Sequence, residues 1–413
     1  MLMLIAAGLA VQVGFAVLNP RGLIQVPYAI LDPGITSYYT EAIKVTDLPY
    51  FLRHYVDLMP TFSLHAKTHP PGPILFFWGF NQFFQNAPWA TDFLATVLSK
   101  TPLSLEGIAG RTGLAANQAA GLIFSSFLLP ALGCATLVPL YLLARNLWDH
   151  QVAFLGAALW IMVPSLILFT PEMDQLYALL SATSVLSVLL AVRRRQNRFA
   201  FLGSLIASVG LFFSFAFLAV IFLNLLFLAL SAFSEIKEPD FRFYSKATGI
   251  FLITVGGSFV ALFLLSGFNI QKASVGVLVP EAARGLARPY FPWVVYNLYD
   301  FFIIGLGFPF FAIFSYYLLR SWDSLIKDRA NLLAVAYLMT LLCLNLSGVV
   351  LAEVARIWLF MLPFPVLYAA RSVHALLEKH RTNEVFYILA LQYGLILVYK
   401  LRLTMIILPA ILQ

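Results

Sequence analysis

Runs of about twenty apolar residues recur along this chain, separated by short segments that carry most of its charged residues. A helix needs about twenty residues to cross the hydrocarbon core of a bilayer. The composition agrees, because 61% of the 413 residues are hydrophobic and 11% are charged, whereas soluble domains carry about 25% charged residues. The sequence therefore predicts an all-α polytopic membrane protein with about eleven transmembrane helices, in a range of about ten to thirteen.

Lysine and arginine in short loops mark the cytoplasmic side of a membrane protein. Four loops are rich in these residues, around 193–198, 237–246, 320–329 and 371–381. An even number of crossings must join any two of them, which places "PEMDQ" (171–175) and "AEVAR" (352–356) at outer turns. The predicted spans are 1–18, 118–143, 151–170, 176–192, 199–214, 216–233, 247–266, 293–319, 331–350, 357–371 and 385–399.

The segment "PILFFWGFNQFFQNAP" (73–88) is rich in aromatic residues, but it is short and interrupted by Asn and Gln. This composition is typical of a helix that lies in the interface plane of the membrane. A crossing at 73–88 would also leave Arg145 on the outer side, against the positive-inside rule. We therefore expect residues 73–88 to fold back onto the membrane surface.

These placements predict how the whole chain is organised. We expect one transmembrane domain (1–413) with a first span at 1–18. An extracytoplasmic loop with interfacial helices would follow at 19–117, and the remaining spans at 118–413. The predicted location is the plasma (inner) membrane, with the functional site on the extracytoplasmic side.

The ionisable residues outside the cytoplasmic loops gather at the predicted outer surface rather than inside the spans. Asp300, near Tyr296 and Tyr299, is the nearest to an exception. The outer set comprises Asp32, Glu41, Asp57, His65, Lys67, His69, Glu172, Asp174, Glu281, Arg284, Arg288, Glu353 and Arg356. Ion-coupled transporters usually bury acids or bases at the bilayer midplane. A surface site that combines carboxylates with cations favours chemistry on an anionic lipid headgroup over ion transport.

Two segments of the first loop carry a resemblance to a known family. They are "LDPGITSYYTEA" (31–42) and "HAKTHPPGPILFFW" (65–78), in that order after the first span. Together they resemble the first outer loop of the GT-C superfamily of membrane glycosyltransferases, which includes protein O-mannosyltransferases, aminoarabinose transferases and Rgt-like enzymes. Asp32 matches the family acid, Tyr38 or Tyr39 the following aromatic residue, and His69-Pro70-Pro71 the second motif. The sequence departs from the family at Pro33, where the family has Glu, and at Gly72, where it has Leu.

The resemblance implies transfer of a sugar, with inversion, from a polyprenyl-phosphate donor to a lipid or glycan acceptor on the outer face. Asp32 would then be the catalytic base. Residues expected to bind substrate or phosphate are His65, Lys67, His69, Arg284, Arg288, Glu353 and Arg356. Residues expected to contact the acceptor are Tyr38, Tyr39, Glu172 and Asp174. Membrane lipids are further expected partners, nucleic acid is not, and a divalent metal held by the histidines with Asp32 or Glu172 stays open.

Each of these residues also has a purely structural interpretation. Asp32 could shape a turn, and Glu353 with Arg356 could form a simple ion pair within one helix. Asp300, Tyr296 and Tyr299 are expected to form a hydrogen-bonded patch. Two other functions also remain open. A transporter or flippase of a lipid-linked saccharide would need a polar path through the spans, and a non-catalytic scaffold would not need acids and bases on one side.

Overall fold

A computed structural model describes residues 1–63, 65–234, 240–286, 288–321 and 328–403, and within these ranges the side chains of 280–286 are not described. Of the described residues, 82% are helical and none lies in a strand. The prediction of an all-α polytopic membrane protein is therefore confirmed.

The first part of the chain contains one long helix followed by short ones. The helices are α1 (Leu2–Val17), α2 (Gln25–Leu31), α3 (Tyr38–Ala42), α4 (Leu48–Arg53), α5 (Tyr55–Leu58), α6 (Gly72–Asn86), α7 (Pro88–Leu98) and α8 (Leu105–Thr112). Short 3₁₀ turns lie at Gly22–Ile24, Met59–Thr61 and Ala66–Thr68.

The rest of the chain is a bundle of longer helices. They are α9 (Ala116–Ala135), α10 (Leu137–Leu147), α11 (His150–Trp160), α12 (Pro164–Leu168), α13 (Asp174–Arg194), α14 (Asn197–Phe213), α15 (Phe217–Ser234), α16 (Phe241–Ser266), α17 (Ile270–Leu286), α18 (Tyr290–Tyr299), α19 (Phe308–Arg320), α20 (Arg329–Leu346), α21 (Val354–Ile357), α22 (Pro363–Glu378) and α23 (Thr382–Arg402). A π-helical segment, Asp300–Gly307, joins α18 to α19, and a 3₁₀ turn, Leu359–Met361, precedes α22.

Eight helical stretches of the described residues are long and apolar enough to cross a membrane, and nine if α1 is joined to the following Gly22–Leu31 across a bend of 103°. The predicted number was about eleven. One difference is α14, which matches the predicted span 199–214 but has only 17 residues. The other is the predicted span 151–170, which is wrong as one continuous helix. It breaks between Trp160 and Pro164, because proline lacks the N–H that a helix interior requires.

Two helices form the interior of the bundle. In α13, 72% of the membrane-length window is buried, and in the stretch that contains α22 the share is 83%. Small side chains let neighbouring helices approach α13 closely. At Gly203 of α14, a Cβ atom would lie 2.9 Å from Val188 and 3.0 Å from the carbonyl oxygen of Ser184. Both buried helices start near the two turns, predicted to lie outside, where the sequence concentrates its acids and Arg356.

Helix α6 contains most of the predicted interfacial segment and is not among the candidate spans. It begins at Gly72, directly after the double proline. A Cβ atom at this position would lie 2.5 Å from the carbonyl oxygen of Phe212. Close packing against the end of α14 therefore leaves no room for a side chain at position 72. Whether α6 lies flat in the interface remains a prediction.

Candidate functional site

A cleft of about 900 Å³ opens where three segments meet. These segments are the turn before α13, the turn before α21, and α18 with the π-helical segment. Gly34 and His65 of the first loop complete its wall. The charged residues of the lining are Glu172, Asp300, Glu353 and Arg356, and the aromatic ones are Phe169, Trp293, Tyr296 and Tyr299. The cleft therefore combines a charged side with an aromatic side.

Arg356 lies at the centre of the charged side, with only 14% of its side chain exposed. Its guanidinium is 2.9 Å from a carboxylate oxygen of Glu353 and 3.6 Å from one of Glu172. Burial acts to lower the pKa of Arg356, but the surrounding carboxylates outweigh it and hold the pKa above its usual value. The guanidinium is thus a permanent cation that keeps its fork of donors at the cleft.

Glu172 is 4% exposed, although it lies in a turn at the helix end rather than inside a span. Burial raises the pKa of Glu172 to about 7, even though Arg356 pulls it in the other direction. A carboxyl group with a pKa near neutrality exchanges its proton readily, which is the property required of a general base or acid. Asp174, at the start of α13, is a third carboxylate, after Glu172 and Glu353, that acts on Arg356.

The turn that presents Arg356 is fixed by side chains from other elements. Asp300, the first residue of the π-helical segment, accepts a hydrogen bond from the backbone N–H of Ala355 at 3.0 Å. The hydroxyl group of Ser165 donates to the carbonyl oxygen of the same residue. Ala352 (φ 134°) and Glu353 (φ 56°) adopt backbone conformations that are rare for non-glycine residues. Such strain persists only where the surroundings hold it, and it clusters at functional sites.

Asp300 therefore does not form the predicted hydrogen-bonded patch with Tyr296 and Tyr299 but bonds to the backbone of Ala355. Asp300 bonds the turn before Arg356, while both tyrosines are exposed along the aromatic wall. The π-helical segment carries Asp300 towards that turn, and π-helices frequently occur at functional sites. In the sequence, the only indication that Asp300 has a role in the site is that it is an acidic residue within a long apolar run.

The turn that presents Glu172 is held by a network of buried amides. The side chain of Gln12 in α1 accepts from Thr170 Oγ1 at 2.6 Å and from Gln175 Nε2 at 2.9 Å. Gln175 Nε2 also donates to the carbonyl oxygen of Leu166 at 2.8 Å. Sequence reasoning missed these residues, although a glutamine inside the first apolar run is a readable signal. The network couples α1 to the segment around Glu172.

The "HAKTH" segment is held close to the same charges. His69 Nδ1 is 3.0 Å from the hydroxyl of Tyr38 and 3.0 Å from the carbonyl oxygen of His65. Burial lowers the pKa of His69 to about 4, so the ring is neutral at pH 7 and acts by hydrogen bonding rather than as a cation. Burial also raises the pKa of Tyr38, and the charges of Asp174 and Arg356 act on its hydroxyl.

A buried carboxylate, that of Glu41, holds the "HAKTH" segment in place. Glu41 is 5% exposed and accepts from the backbone N–H of Ser63 at 3.2 Å and from its hydroxyl at 3.0 Å. Lys44 lies 2.9 Å from the same carboxylate group. The hydroxyl of Tyr55 donates to the carbonyl oxygen of His69 at 2.7 Å. Glu41 was assigned no role from sequence, but it anchors the loop that carries both histidines.

Asp32 lies at the end of α2, half-buried, and shapes the turn that follows. Its Oδ1 accepts from the backbone N–H of Gly34 at 2.7 Å, and its carbonyl oxygen accepts from Ile35 N at 3.1 Å. Gly34 and Ile35 line the cleft, whereas Asp32 is not among the lining residues. The turn-forming role is therefore visible, and the role as base remains a prediction.

The remaining predicted residues lie in varied surroundings. Tyr39 is fully buried and donates to Asn81 and to the carbonyl oxygen of Gln118, so it joins α3 to α6 and α9. Arg288 contacts the carbonyl oxygen of Leu351 and lies 5.4 Å from the ring centre of Trp293. The half-buried Lys67 does not line the cleft. The side chain of Arg284 lies outside the described residues.

Within the described ranges, no group of three or more His, Cys, Asp or Glu side chains is arranged to hold a metal ion. The combination of two histidines with Asp32 or Glu172, which the sequence left open, is therefore not found as a ligand set among these residues. His69 directs Nδ1 towards Tyr38 and a backbone carbonyl instead.

The chain is similar to solved structures of an archaeal oligosaccharyltransferase from Archaeoglobus fulgidus. The apo crystal structure matches with a TM-score of 0.49 and 15% identity, over 99% of this chain and 55% of that one. The complex of AglB with an inhibitory peptide and a dolichol-phosphate matches with a TM-score of 0.48 and 14% identity, over 99% and 55%. The complex with Zn and sulfate gives a TM-score of 0.45 and 15% identity, over 96% and 53%.

The chain thus spans about half the length of the structures it matches. No family model matches the sequence, and no curated protein matches it. A shared fold does not establish a function, which has to come from the site itself.

Proposed function

We propose that this integral membrane protein is a GT-C-type glycosyltransferase. It transfers a sugar from a polyprenyl-phosphate-linked donor to a lipid or glycan acceptor at the extracytoplasmic face, with inversion. The observation that carries the proposal is the buried Arg356, paired with Glu172 in a cleft that has an aromatic wall. The extracytoplasmic placement rests on the arginine-rich loops at the other ends of the helices.

The two sides of the cleft match the two parts of such a donor. Arg356 offers a planar fork of N–H donors, which suits two phosphate oxygens at once. The aromatic wall of α18 continues into exposed apolar side chains, among them Phe291 and Val295. Such a surface is suited to contact the bilayer, so a polyprenyl chain can lie along it while its phosphate reaches Arg356. A sugar next to the phosphate would lie between the charged and aromatic sides.

The reaction that we propose is a single displacement at the sugar. The acceptor hydroxyl oxygen forms a bond to C1 of the sugar, while the bond from C1 to the phosphate oxygen breaks. The electron pair of that bond leaves with the polyprenyl phosphate, whose charge Arg356 stabilises. The proton of the acceptor hydroxyl moves to a carboxylate. Attack opposite to the leaving group inverts the configuration at C1.

Two carboxylates are candidates for the base. The family resemblance favours Asp32. The geometry of the cleft favours Glu172, which lines it and has a pKa of about 7, close to the optimum for proton transfer at neutral pH. Asp32→Asn and Glu172→Gln separate the two, because the true base is the one whose amide variant binds donor normally but transfers no sugar.

The experiment uses the purified full chain with a radiolabelled polyprenyl-phosphate hexose and a total membrane lipid extract as acceptor. We expect label to move into a new lipid or glycan product, and Arg356→Ala to slow this transfer by about 10²–10³-fold. Binding of unlabelled undecaprenyl phosphate, measured by native mass spectrometry, is a second readout. A protein that binds neither the carrier phosphate nor the labelled donor would contradict the proposal.

A flippase for a lipid-linked saccharide is the second candidate. It would share the carrier-binding cleft but would move label across a vesicle membrane without forming a new glycosidic bond. Some buried polar side chains of the described spans, among them Ser125, Ser184 and Thr340, hydrogen-bond to carbonyl oxygens of neighbouring turns or helices. Others, including Ser181, Ser231 and Tyr337, have no hydrogen-bond partner among the described residues, so formation of a new glycosidic bond is the observation that separates transfer from transport.

A further inference from the structure

A second cavity, distinct from the cleft, lies between helix α7 and helix α9. Its volume is about 420 Å³, and its lining consists entirely of Leu, Ile and Phe side chains. Leu94 and Leu98 come from α7, Leu103 from the following turn, and Ile123, Phe127 and Leu128 from α9. Apolar cavities of about 150 Å³ are large enough to bind a benzene-sized molecule. We refer to this cavity as the α7–α9 groove.

The position of the groove determines what can fill it. Helix α9 belongs to a candidate span that begins at Ala116, and at 1.5 Å per residue Ile123 and Leu128 lie roughly 10 to 18 Å along it. Phe124, in the same turn, is exposed. On a candidate span of this kind the groove is expected to face hydrocarbon rather than water, and its lining of Leu, Ile and Phe offers a polar ligand no side-chain hydrogen-bonding partner.

Helix α7 provides a second, independent observation. Trp89, Phe93 and Val97 recur at four-residue intervals and are 70%, 65% and 56% exposed. Residues four apart lie on one face of a helix, so this apolar stripe needs a lipid environment, and tryptophan is enriched at membrane interfaces. Lys100, between groove residues Leu98 and Leu103 in the chain, is exposed and forms no ion pair with the described residues. Because it follows Leu98 closely in the chain, it is the cation we assign to a phosphate headgroup.

We propose that the α7–α9 groove binds one acyl chain of a membrane phospholipid, with the phosphate near Lys100. The chain fills the space between the interfacial helix and the bundle and thereby attaches α7 to the bilayer. This site is separate from the cleft around Arg356, so the proposal does not depend on glycosyl transfer.

The test uses the full-length protein in vesicles of phosphatidylcholine and phosphatidylglycerol that contain a phosphatidylcholine with a diazirine in one acyl chain. After irradiation, labelled peptides are identified by mass spectrometry. We expect strong label on the segments 94–103 and 123–128. Label on Ile253 and Leu265 of α16, which are 75% and 88% exposed, provides the reference for ordinary contact with bulk lipid.

Leu94→Trp and Leu128→Trp, made separately, fill the groove and should remove the label there while leaving the α16 label unchanged. Val138→Trp is the matched control, because Val138 is exposed on α10 and is not part of the groove. Wild-type label confined to α16, or groove label that survives both substitutions, would overturn the proposal. Groove label that disappears on addition of undecaprenyl phosphate would also overturn it, by identifying an isoprenoid as the occupant.

Discussion

The cleft around Arg356 and the α7–α9 groove are built from opposite kinds of side chain. The cleft buries a guanidinium and a carboxylate beside aromatic rings, and side chains from distant elements hold both turns that carry these charges. The groove contains only Leu, Ile and Phe in its lining. Buried charges are costly unless they are paired and hydrogen-bonded, whereas an apolar surface in lipid costs little.

This difference indicates that a reaction can occur in the cleft, whereas the groove can only attach the protein to lipid. The cleft contains buried charges and strained backbone, and contact with lipid alone requires neither. The groove has none of these properties and discriminates only by shape and apolarity. Substitutions in the cleft should therefore alter the reaction, and substitutions in the groove should alter lipid binding and leave the reaction unchanged.

Replacement of Arg356 should have the strongest effect on transfer. Arg356→Ala removes a preorganised donor group, and losses of about 10²–10³-fold in kcat are found when one such donor is removed elsewhere. Arg356→Lys keeps the charge but loses the planar fork, so it should recover only part of the activity. The measurement is kcat/KM with the labelled donor, together with Tm to confirm folding. Equal activity of the lysine variant and the wild type would contradict a two-point phosphate contact.

Glu172 predicts a specific pH dependence. Its raised pKa means that the carboxyl group is protonated below about pH 7 and becomes a carboxylate above it. If Glu172 is the base, kcat/KM should fall as the pH decreases through about 7. Glu172→Gln should lower the rate and remove this limb of the pH profile. If the pH profile of Glu172→Gln keeps the same acidic limb, Glu172 is not the base, and Asp32 or another acid must be.

Asp300→Ala should disturb the cleft without removing any of the three carboxylates that act on Arg356, which are Glu172, Asp174 and Glu353. A hydrogen bond to a charged group contributes about 1.5–3 kcal/mol, so we expect kcat/KM to fall by about tenfold or more. Asp300→Asn keeps an acceptor for the N–H of Ala355 and should restore most of the loss. An Asn variant as impaired as the Ala variant would show that the negative charge matters rather than the hydrogen bond.

Trp293→Ala should weaken donor binding moderately. Aromatic contacts contribute about 0.5–1.5 kcal/mol beyond the buried area, so KM for the donor should rise by up to about tenfold while kcat changes less. Trp293→Phe is the matched control and should retain most of the affinity. A fall in kcat at constant KM would place Trp293 in the chemistry instead.

Leu94→Trp should have the smallest effect on transfer. It fills the α7–α9 groove, which does not overlap the lining of the cleft. The measured kcat/KM should match that of the Val138→Trp control within error, even though the lipid label in the groove is lost. A selective loss of transfer in Leu94→Trp would mean that the groove also serves the substrate.

The part of the site that could be predicted from sequence is the part that residue type and topology determine. Apolar runs and arginine-rich loops placed Glu172 and Arg356 at outer turns, and the structure brings both into one cleft. The pairing of Tyr38 with His69 also lies within one predicted loop. The neutral state of His69 could not be predicted, because it depends on burial that the local sequence does not encode.

The supporting contacts were beyond sequence reasoning because they join distant parts of the chain. Gln12 and Thr170 are 158 positions apart, and Asp300 and Ala355 are 55 apart. No periodicity within one helix indicates such partners. The break before Pro164 was readable from the proline, and the prediction of a continuous span gave apolarity too much weight there.

The tight contact at Gly203 has implications for how mutational screens of this protein are interpreted. Ser184 and Val188 lie about 15 to 20 Å along α13 from Asp174, at 1.5 Å per residue. A Cβ atom at 203 would press on the Val188 side chain and on the Ser184 carbonyl, so α14 and α13 would have to separate by a few tenths of an ångström. Because α13 begins at Asp174, an alanine at this remote position should lower Tm, and a loss of transfer in such a variant should be interpreted as displacement of α13 rather than as removal of a contact to substrate.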